Sequence, residues 1–186
     1  MRLFIAIEVP AEIKRDMAEV QQRLISTGAV DASWTRPDSI HLTLKFLGEV
    51  TEAKAPAIMA ALKTAAIGSS RFRLGLEQVG TFPEPKRARV VWIGLHGEVE
   101  KLLRLQTLVE ENLVSAGFER EGRTYTPHLT LGRIRNIRSR ENWVKALTAE
   151  KDVRLQAFEV REICLMQSDL RPSGAVYSRL GSVALN

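Results

Sequence analysis

The chain has 186 residues, of which 45% are hydrophobic and 26% are charged, as in a globular protein with a sizeable core. This composition argues against intrinsic disorder, and no apolar run approaches the roughly 20 residues that a membrane-spanning helix needs. Lysines and arginines number 27 against 22 acidic residues, and the formal net charge of +5 favours a polyanionic partner without identifying one. The single cysteine, Cys164, excludes an internal disulfide, and its apolar surroundings in the sequence predict a buried, unreactive thiol.

The first half of the chain is predicted to begin with a strand, a helix and a second strand. Residues 3–7, LFIAI, are typical of a buried strand, and no cleavage site for export follows them, so we expect a cytoplasmic protein. Apolar residues then recur at spacings of three and four, which predicts an amphipathic helix that ends at Gly28. A Pro-Asp-Ser turn leads into a strand carrying HLTL at residues 41–44. A helix within residues 51–68 and a strand within residues 71–82 follow.

The second half repeats this order. The apolar run VVWIGL is followed by a helical pattern and then by a second HLTL at residues 128–131. Leu3 precedes the first motif histidine by 38 residues, and Val91 precedes the second by 37, so we interpret the pattern as an internal duplication. A short helix near residues 141–150, a strand and a closing hairpin around Pro172, Ser173 and Gly174 complete the chain. Two similar halves with mixed helices and strands predict two lobes with a cleft between them.

The repeated motif places a histidine and a threonine on the same face of each strand. Residues i and i+2 of a strand point the same way, so His41 and Thr43 share one side, and His128 and Thr130 share another. If a pseudo-twofold axis relates the halves, both polar faces meet across one cleft. That arrangement suits in-line cleavage of a phosphoester, in which one imidazole accepts a proton from water and the other protonates the leaving oxygen. The threonine hydroxyls would hold the phosphate oxygens.

Other interpretations of the two histidines stay open at this point. They could bind zinc, although catalytic zinc generally takes three protein ligands and neither motif has a nearby carboxylate in the sequence. They could also be structural residues inherited from a duplicated packing unit. A Ser-His-Asp hydrolase would use one histidine and leave the duplication without a purpose. The third histidine, His96, has no motif partner and is predicted to lie at the surface or at a helix start.

Several stretches together resemble a known family, the 2H phosphoesterases, and within it the RNA 2′,3′-cyclic phosphodiesterases, also called the 2′-5′ RNA ligase group. The similar stretches cover nearly the whole chain and are RLFIAIEVP, IHLTLKFLGEV, TPHLTLGRI and SDLRPSGAVYSRL. The resemblance implies a bilobal α+β fold, with pseudo-symmetric lobes that each have an antiparallel sheet and helices, and a central cleft between the sheets. We expect a single 2H phosphoesterase domain formed by two duplicated halves, about 1–85 and 86–186.

The resemblance also implies an activity and a set of site residues. The activity is metal-independent, cofactor-free hydrolysis of a terminal 2′,3′-cyclic phosphate to a 2′-phosphate. His41 is the implied proton donor and His128 the implied proton acceptor, while Thr43 and Thr130 position the phosphate. Arg133 matches a phosphate-binding arginine of the family.

The pattern places Arg133 and four further residues less directly. Simple alternation puts Arg133 on the face opposite His128, unless Gly132 marks a bulge that turns it back. Lys45 alternates onto the face of His41 and is a candidate for attracting phosphate. Tyr125 or Phe46 could stack on a terminal base, although Phe46 alternates to the core side and core packing is favoured for it. Tyr177 is expected to be structural.

The expected partners are RNA molecules with 2′,3′-cyclic phosphate ends, such as tRNA fragments, or nucleoside cyclic phosphates. We expect a monomer without a membrane partner. Alternatives that use the same residues are a reversible 2′-5′ RNA ligase, a 2′-5′ phosphodiesterase and a non-catalytic module that binds RNA ends. Two basic segments, 86–89 and 133–140, are either a surface for a polyanion or solvated loops.

Overall fold

The computed structural model describes residues 1–172 and 174–186. The strands are β1 Arg2–Glu8, β2 Val30–Trp34, β3 His41–Glu49, β4 Phe72–Phe82, β5 Val90–Gly97, β6 Leu129–Ile137, β7 Phe158–Val160, β8 Glu162–Arg171 and β9 Gly174–Ala184. The α-helices are α1 Ala11–Ser26, α2 Ala55–Ile67, α3 Val99–Ser115 and α4 Arg140–Ala149. Short 3₁₀ turns cover Pro37–Ser39, Glu52–Lys54 and Pro85–Arg87. The predicted hairpin joins β8 to β9, but its Ser173 lies outside the described residues.

The described strands form two antiparallel sheets, which confirms the expected bilobal α+β architecture. One sheet has the strand order β3-β1-β8-β9, and the other has the order β2-β6-β5-β4-β7. In both repeats the motif strand pairs with the strand that opens the repeat, because β3 pairs with β1 and β6 pairs with β5. The edge strand β2 was not predicted, since its sequence VDASW lacks a strongly apolar alternation.

The two sequence halves do not correspond to the two sheets. Strand β4 follows the first motif in the chain, yet it pairs with β5 of the second repeat. Strand β8 follows the second motif, yet it pairs with β1 of the first repeat. Each half therefore contributes two strands to the sheet of the other: β2 and β4 lie in the sheet of β5 and β6, and β8 and β9 lie in the sheet of β1 and β3.

Both motifs are anchored by their leucines in one continuous hydrophobic core. Leu42, Leu44, Leu129 and Leu131 are 0–2% exposed and belong to the same cluster of buried side chains. Full burial of a leucine stabilises the fold by about 1.5–3 kcal/mol, so these residues fix the faces that the intervening histidines and threonines present. Cys164 is buried as predicted, and burial raises the pKa of its thiol to about 12. Within residues 1–172 and 174–186, every helix is too short or too polar to cross a bilayer.

Candidate active site

Both motif histidines are held by the same backbone contact. The Nδ1 atom of His41 lies 2.9 Å from the carbonyl oxygen of Ser39, and Nδ1 of His128 lies 2.7 Å from that of Thr126. A carbonyl oxygen only accepts hydrogen bonds, so each Nδ1 carries the hydrogen. In the neutral imidazole, Nε2 is then left with its lone pair. The two rings are therefore prepared in the same tautomer, with Nε2 available to accept or donate a proton.

His41 sits in an aromatic, partly buried environment. The ring of Phe4 stacks on it with centroids 4.6 Å apart, and the ring of Tyr177 meets it edge-on at 4.9 Å. Burial lowers the pKa of His41 to about 4, and the hydrogen bond to the Ser39 carbonyl only partly opposes this effect. In the free protein at neutral pH, His41 is consequently uncharged.

His128 also has aromatic neighbours, but they come from the other sheet. Phe82 meets its ring edge-on with centroids 5.0 Å apart, and the Trp92 ring lies 6.4 Å away. The indole nitrogen of Trp92 is buried and makes no hydrogen bond within the described residues. Each motif histidine thus contacts aromatic side chains from other strands of its own sheet.

The motif threonines keep their hydroxyl groups free. Thr43 and Thr130 are half-buried, and neither hydroxyl makes a hydrogen bond within residues 1–172 and 174–186. Their adjoining leucines are buried, so the polar faces of both motif strands are turned away from the core. Two hydroxyl donors therefore stand beside two imidazoles on the motif strands.

A β-bulge occurs at the same point of both motifs. In the first motif, Thr43 pairs with Ala6 and Lys45 with Ile5, which leaves Leu44 as an extra residue. In the second motif, the strand pairing slips in the same way between Thr130 and Gly132. Such a bulge reverses the alternation of side chains beyond it. The residues after the bulges are therefore not where simple alternation puts them.

The second bulge turns Arg133 toward the face of His128 and Thr130, as the sequence allowed. Arg133 is exposed and has no ion-pair partner in the described part of the chain. A Cβ atom at Gly132 would lie 3.0 Å from the Trp34 ring, so the close packing of β2 favours glycine at this position. The position of the first motif that matches Gly132 is Lys45.

The first bulge makes the expected placement of Lys45 wrong. Lys45 is only 8% exposed, and its ammonium group contacts the Glu110 carboxylate at 2.6 Å and the Glu119 carbonyl oxygen at 2.8 Å. The lysine therefore points toward α3, away from the face of His41, and its charge is already paired. Phe46 takes the opposite course, because it is 73% exposed and was expected in the core.

Tyr125, three residues before His128, links the two motifs. Its hydroxyl donates a 2.9 Å hydrogen bond to the carbonyl oxygen of Thr43. Its ring packs against the hydrophobic core, and burial raises the pKa of its hydroxyl. These contacts differ from the predicted stacking on a terminal base, since the ring and hydroxyl are already engaged. The side-chain amide of Gln21 in α1 also holds the second motif strand, because it donates a 2.7 Å hydrogen bond to the carbonyl oxygen of Leu131.

Comparison with known proteins agrees with the duplicated motif. The family described as "LigT like Phosphoesterase" matches the chain twice, over residues 7–92 and 93–177. The chain belongs to this phosphoesterase family. The two matches meet near residue 92, and each contains one of the two HLTL motifs.

Relatives of this phosphoesterase are similar over most of their length. The RNA 2′,3′-cyclic phosphodiesterase of Methanocaldococcus jannaschii is 34% identical, covering 95% of this chain and 96% of the relative. That of Aeropyrum pernix is 38% identical, covering 90% and 93%. Among solved structures, the TT0787 protein of Thermus thermophilus has a TM-score of 0.79, 26% identity and coverage of 100% and 98%. Escherichia coli LigT complexed with 3′-AMP has a TM-score of 0.77, 27% identity and coverage of 99% and 97%.

Sequence reasoning missed the aromatic neighbours in this phosphoesterase. Phe4 and Tyr177 were assigned to the core or to a structural role, yet both contact the ring of His41. Phe4 alternates with the buried Leu3 and Ile5 on β1, so alternation could have placed it on the other face. No signal of this kind existed for Tyr177, because the position of β9 beside β8 is a tertiary feature.

Within residues 1–172 and 174–186, neither motif histidine belongs to a group of three or more side chains that could bind a metal ion. The group of His, Cys, Asp or Glu side chains that could hold an ion consists of Glu8, Glu162 and Cys164, and it includes neither motif histidine. The Arg179 guanidinium forms ion pairs with both carboxylates of that group. Their charges are thus paired with an arginine.

Proposed function

We propose that the protein hydrolyses the terminal 2′,3′-cyclic phosphate of RNA, or of a nucleoside, to a 2′-phosphate. Membership of the phosphoesterase family and relatives named RNA 2′,3′-cyclic phosphodiesterases support this proposal. The observation that carries it is the matched pair of His-x-Thr motifs. In both, Nδ1 of the imidazole binds a backbone carbonyl, which leaves Nε2 available for proton transfer.

The proposed reaction is an in-line displacement at phosphorus. A water oxygen forms a bond to phosphorus while the bond to the 3′ oxygen breaks on the opposite side. His128 accepts the proton of the water, and His41 gives a proton to the departing 3′ oxygen. The products are a 2′-phosphate and a 3′-hydroxyl. Two histidines thus supply both proton transfers, and on this proposal the reaction needs no metal ion.

If His41 is the proton donor, its ring must be protonated at neutral pH, which requires a raised pKa. In the free protein, burial lowers this pKa to about 4, so the ring lacks the proton that it must donate at neutral pH. A phosphate anion beside the imidazole favours the charged form and raises the pKa. On this proposal, the substrate itself brings His41 into its donor state.

The remaining site residues position the phosphate. The free hydroxyl groups of Thr43 and Thr130 can donate hydrogen bonds to the non-bridging oxygens and hold the in-line geometry. The exposed guanidinium of Arg133 can form a two-pronged contact with the same group. Tyr125 acts as a positioning residue, since its bond to the Thr43 carbonyl fixes one motif against the other.

The test is turnover of cytidine 2′,3′-cyclic phosphate in the presence of excess EDTA. We expect His41→Ala and His128→Ala each to lower kcat by about 10²- to 10⁴-fold, the usual contribution of a positioned general acid or base. His96→Ala is the matched control, because His96 instead contacts the Arg154 guanidinium at 3.2 Å. Phosphorus NMR of the product should show a 2′-phosphate.

The possible outcomes separate the alternatives. Activity that EDTA abolishes and added zinc restores would overturn the metal-independent mechanism. Full activity in either motif variant would overturn the paired-histidine mechanism. Tight binding of cyclic phosphate ends with no turnover in the wild type would overturn the enzyme proposal and identify a binding module.

A further inference from the structure

Two basic segments that lie far apart in the sequence meet in one groove. The 3₁₀ turn Pro85–Arg87 and Arg89 form one wall, and the end of β6 with the start of α4 forms the other. The backbone nitrogen of Ile134 donates to the carbonyl oxygen of Arg89 at 2.8 Å, and Val90 pairs with Arg133. The strand pairing itself therefore brings the two segments together.

The groove is strongly basic. Its volume is about 420 Å³, and five cationic side chains line it, namely Lys86, Arg87, Arg89, Arg135 and Arg140. Two of them have acidic partners, since Arg87 contacts Glu84 at 3.4 Å and Arg135 contacts Asp31 at 2.9 Å. Both pairs are exposed and contribute little to stability. The other three have no carboxylate partner within the described residues.

Arg140 points to a binding role because its position is otherwise unfavourable. It is the first residue of α4, where the helix dipole concentrates positive charge. A cation there costs the helix a few tenths of a kcal/mol to about 1 kcal/mol. Four further cations line the same groove. Like charges so close together repel one another and destabilise the free protein, but they attract an anion.

The groove lies further along β6 than the candidate active site. Thr130 and Arg133 belong to the site, and Arg135 lies two residues further along the same strand. At about 3.3 Å per strand residue, the distance from Thr130 to Arg135 is about 16 Å. Even for a strand more extended than a duplex strand, in which phosphates follow at ~3.4 Å along the axis, this length is enough to face more than one phosphate.

We propose that this groove binds the phosphates of single-stranded RNA immediately upstream of the terminal cyclic phosphate. The proposal rests on the proposed function, because it assigns the reacting end to the His-x-Thr motifs.

The buried side chains of Ala88 and Ile134 form the apolar floor of the groove, and the cationic side chains surround it. No aromatic side chain lines the groove among the described residues, so the bases are not stacked and the sequence of the RNA matters little. A single strand fits this groove better than a duplex, because duplex recognition uses a surface spanning many base pairs and this groove is a single concavity.

The experiment compares substrates of increasing length. The variant Lys86→Gln/Arg89→Gln/Arg140→Gln removes the three unpaired charges of the groove. The matched control, Lys63→Gln/Arg15→Gln/Arg104→Gln, removes one lysine and two arginines that are exposed on α2, α1 and α3. For each protein, KM and kcat are measured with cytidine 2′,3′-cyclic phosphate and with a ten-nucleotide RNA that ends in the same group.

In the groove variant, we expect KM for the RNA to rise at least tenfold, with turnover of the nucleoside substrate unchanged. The control should match the wild type with both substrates. Binding of a ten-nucleotide RNA with a 2′-phosphate end, measured by fluorescence anisotropy, should depend less steeply on salt in the groove variant. With about 0.7 counterions released per phosphate, three lost contacts lower the slope of log K against log salt by about 2.

The outcomes distinguish this proposal from the proposed function. Equal KM values and equal salt slopes for the groove variant and the wild type would overturn the groove. An equal loss of binding to a blunt duplex RNA would overturn the preference for a single strand. A wild type that turns over neither substrate would refute the proposed function, and the anisotropy measurement would still test the groove on its own.

Discussion

The partly buried His41 makes the stability of the fold depend on pH in a defined direction. Its pKa is 6.5 as an ordinary histidine and about 4 in the folded protein, because burial disfavours the charged ring. Between these values the unfolded chain binds more protons than the folded chain. Stability therefore falls as the pH is lowered from 6.5 toward 4, and the contribution of His41 to this loss is complete below pH 4.

The size of the effect follows from the gap between the two pKa values. At 1.36 kcal/mol per pH unit, the gap corresponds to about 3 kcal/mol of unfolding free energy when His41 is fully protonated. About 2 kcal/mol of this is lost by pH 5. The variant His41→Asn removes the titrating group and keeps a side-chain N–H for the carbonyl oxygen of Ser39, so it isolates the protonation.

The assay is urea unfolding of the wild type and His41→Asn at pH 7, 6 and 5. From pH 7 to pH 5, we expect the wild type to lose about 2 kcal/mol more than the variant. Other acidic and basic groups titrate in both proteins and cancel in the difference. An NMR titration of the His41 ring gives the folded-state pKa directly, and a nucleoside 2′-phosphate should raise it. Parallel stability curves for the two proteins would refute the reasoning.

Three further substitutions test other contacts of the site. Lys45→Met leaves the Glu110 carboxylate buried without its partner, and urea unfolding should show a loss of about 3–5 kcal/mol. Tyr125→Phe removes the hydrogen bond to the Thr43 carbonyl, which should cost about 1–3 kcal/mol by the same method and lower kcat for the cyclic nucleotide. Arg133→Gln should raise KM for the cyclic nucleotide about tenfold or more, and Arg133→Lys should recover part of the loss because it keeps the charge without the planar fork.

Each of these expectations has a contrary result. Undiminished stability of Lys45→Met would mean that the ion pair contributes nothing, whereas Lys45→Met combined with Glu110→Leu should recover much of the loss. Wild-type kcat in Tyr125→Phe would remove its positioning role. Equal KM values for Arg133→Gln and the wild type would place the arginine outside the phosphate site.

The duplicated motif could be recognised from the sequence because its evidence is local. Alternation along a strand determines that Leu42 and Leu129 are buried, and it therefore determines that His41 and His128 face away from the core. The repeat interval and the helical spacing between the strands needed no tertiary information. The sequence also indicated that Gly132 could mark a bulge, since glycine within a strand commonly does so.

What the sequence missed depends on contacts between distant segments. Lys45 was placed on the wrong face because its bulge contains no glycine or proline to mark it, and its partner Glu110 is 65 residues away. Tyr177 reaches His41 only because β9 joins the first sheet from the far end of the chain. The two basic segments were visible, but their convergence follows from the pairing of β5 with β6.

The exchange of strands between the repeats makes each half of the chain depend on the other. In an isolated half, the opening strand would pair only with its motif strand. β1 would lack β8, β5 would lack β4, and each would expose unpaired backbone groups along one edge. The arrangement has the geometry of a domain-swapped homodimer in which a single polypeptide supplies both subunits. Because both copies lie in one polypeptide, equivalent positions can carry different residues: Lys45 forms a buried ion pair with Glu110, whereas its counterpart Gly132 packs closely against Trp34 of β2.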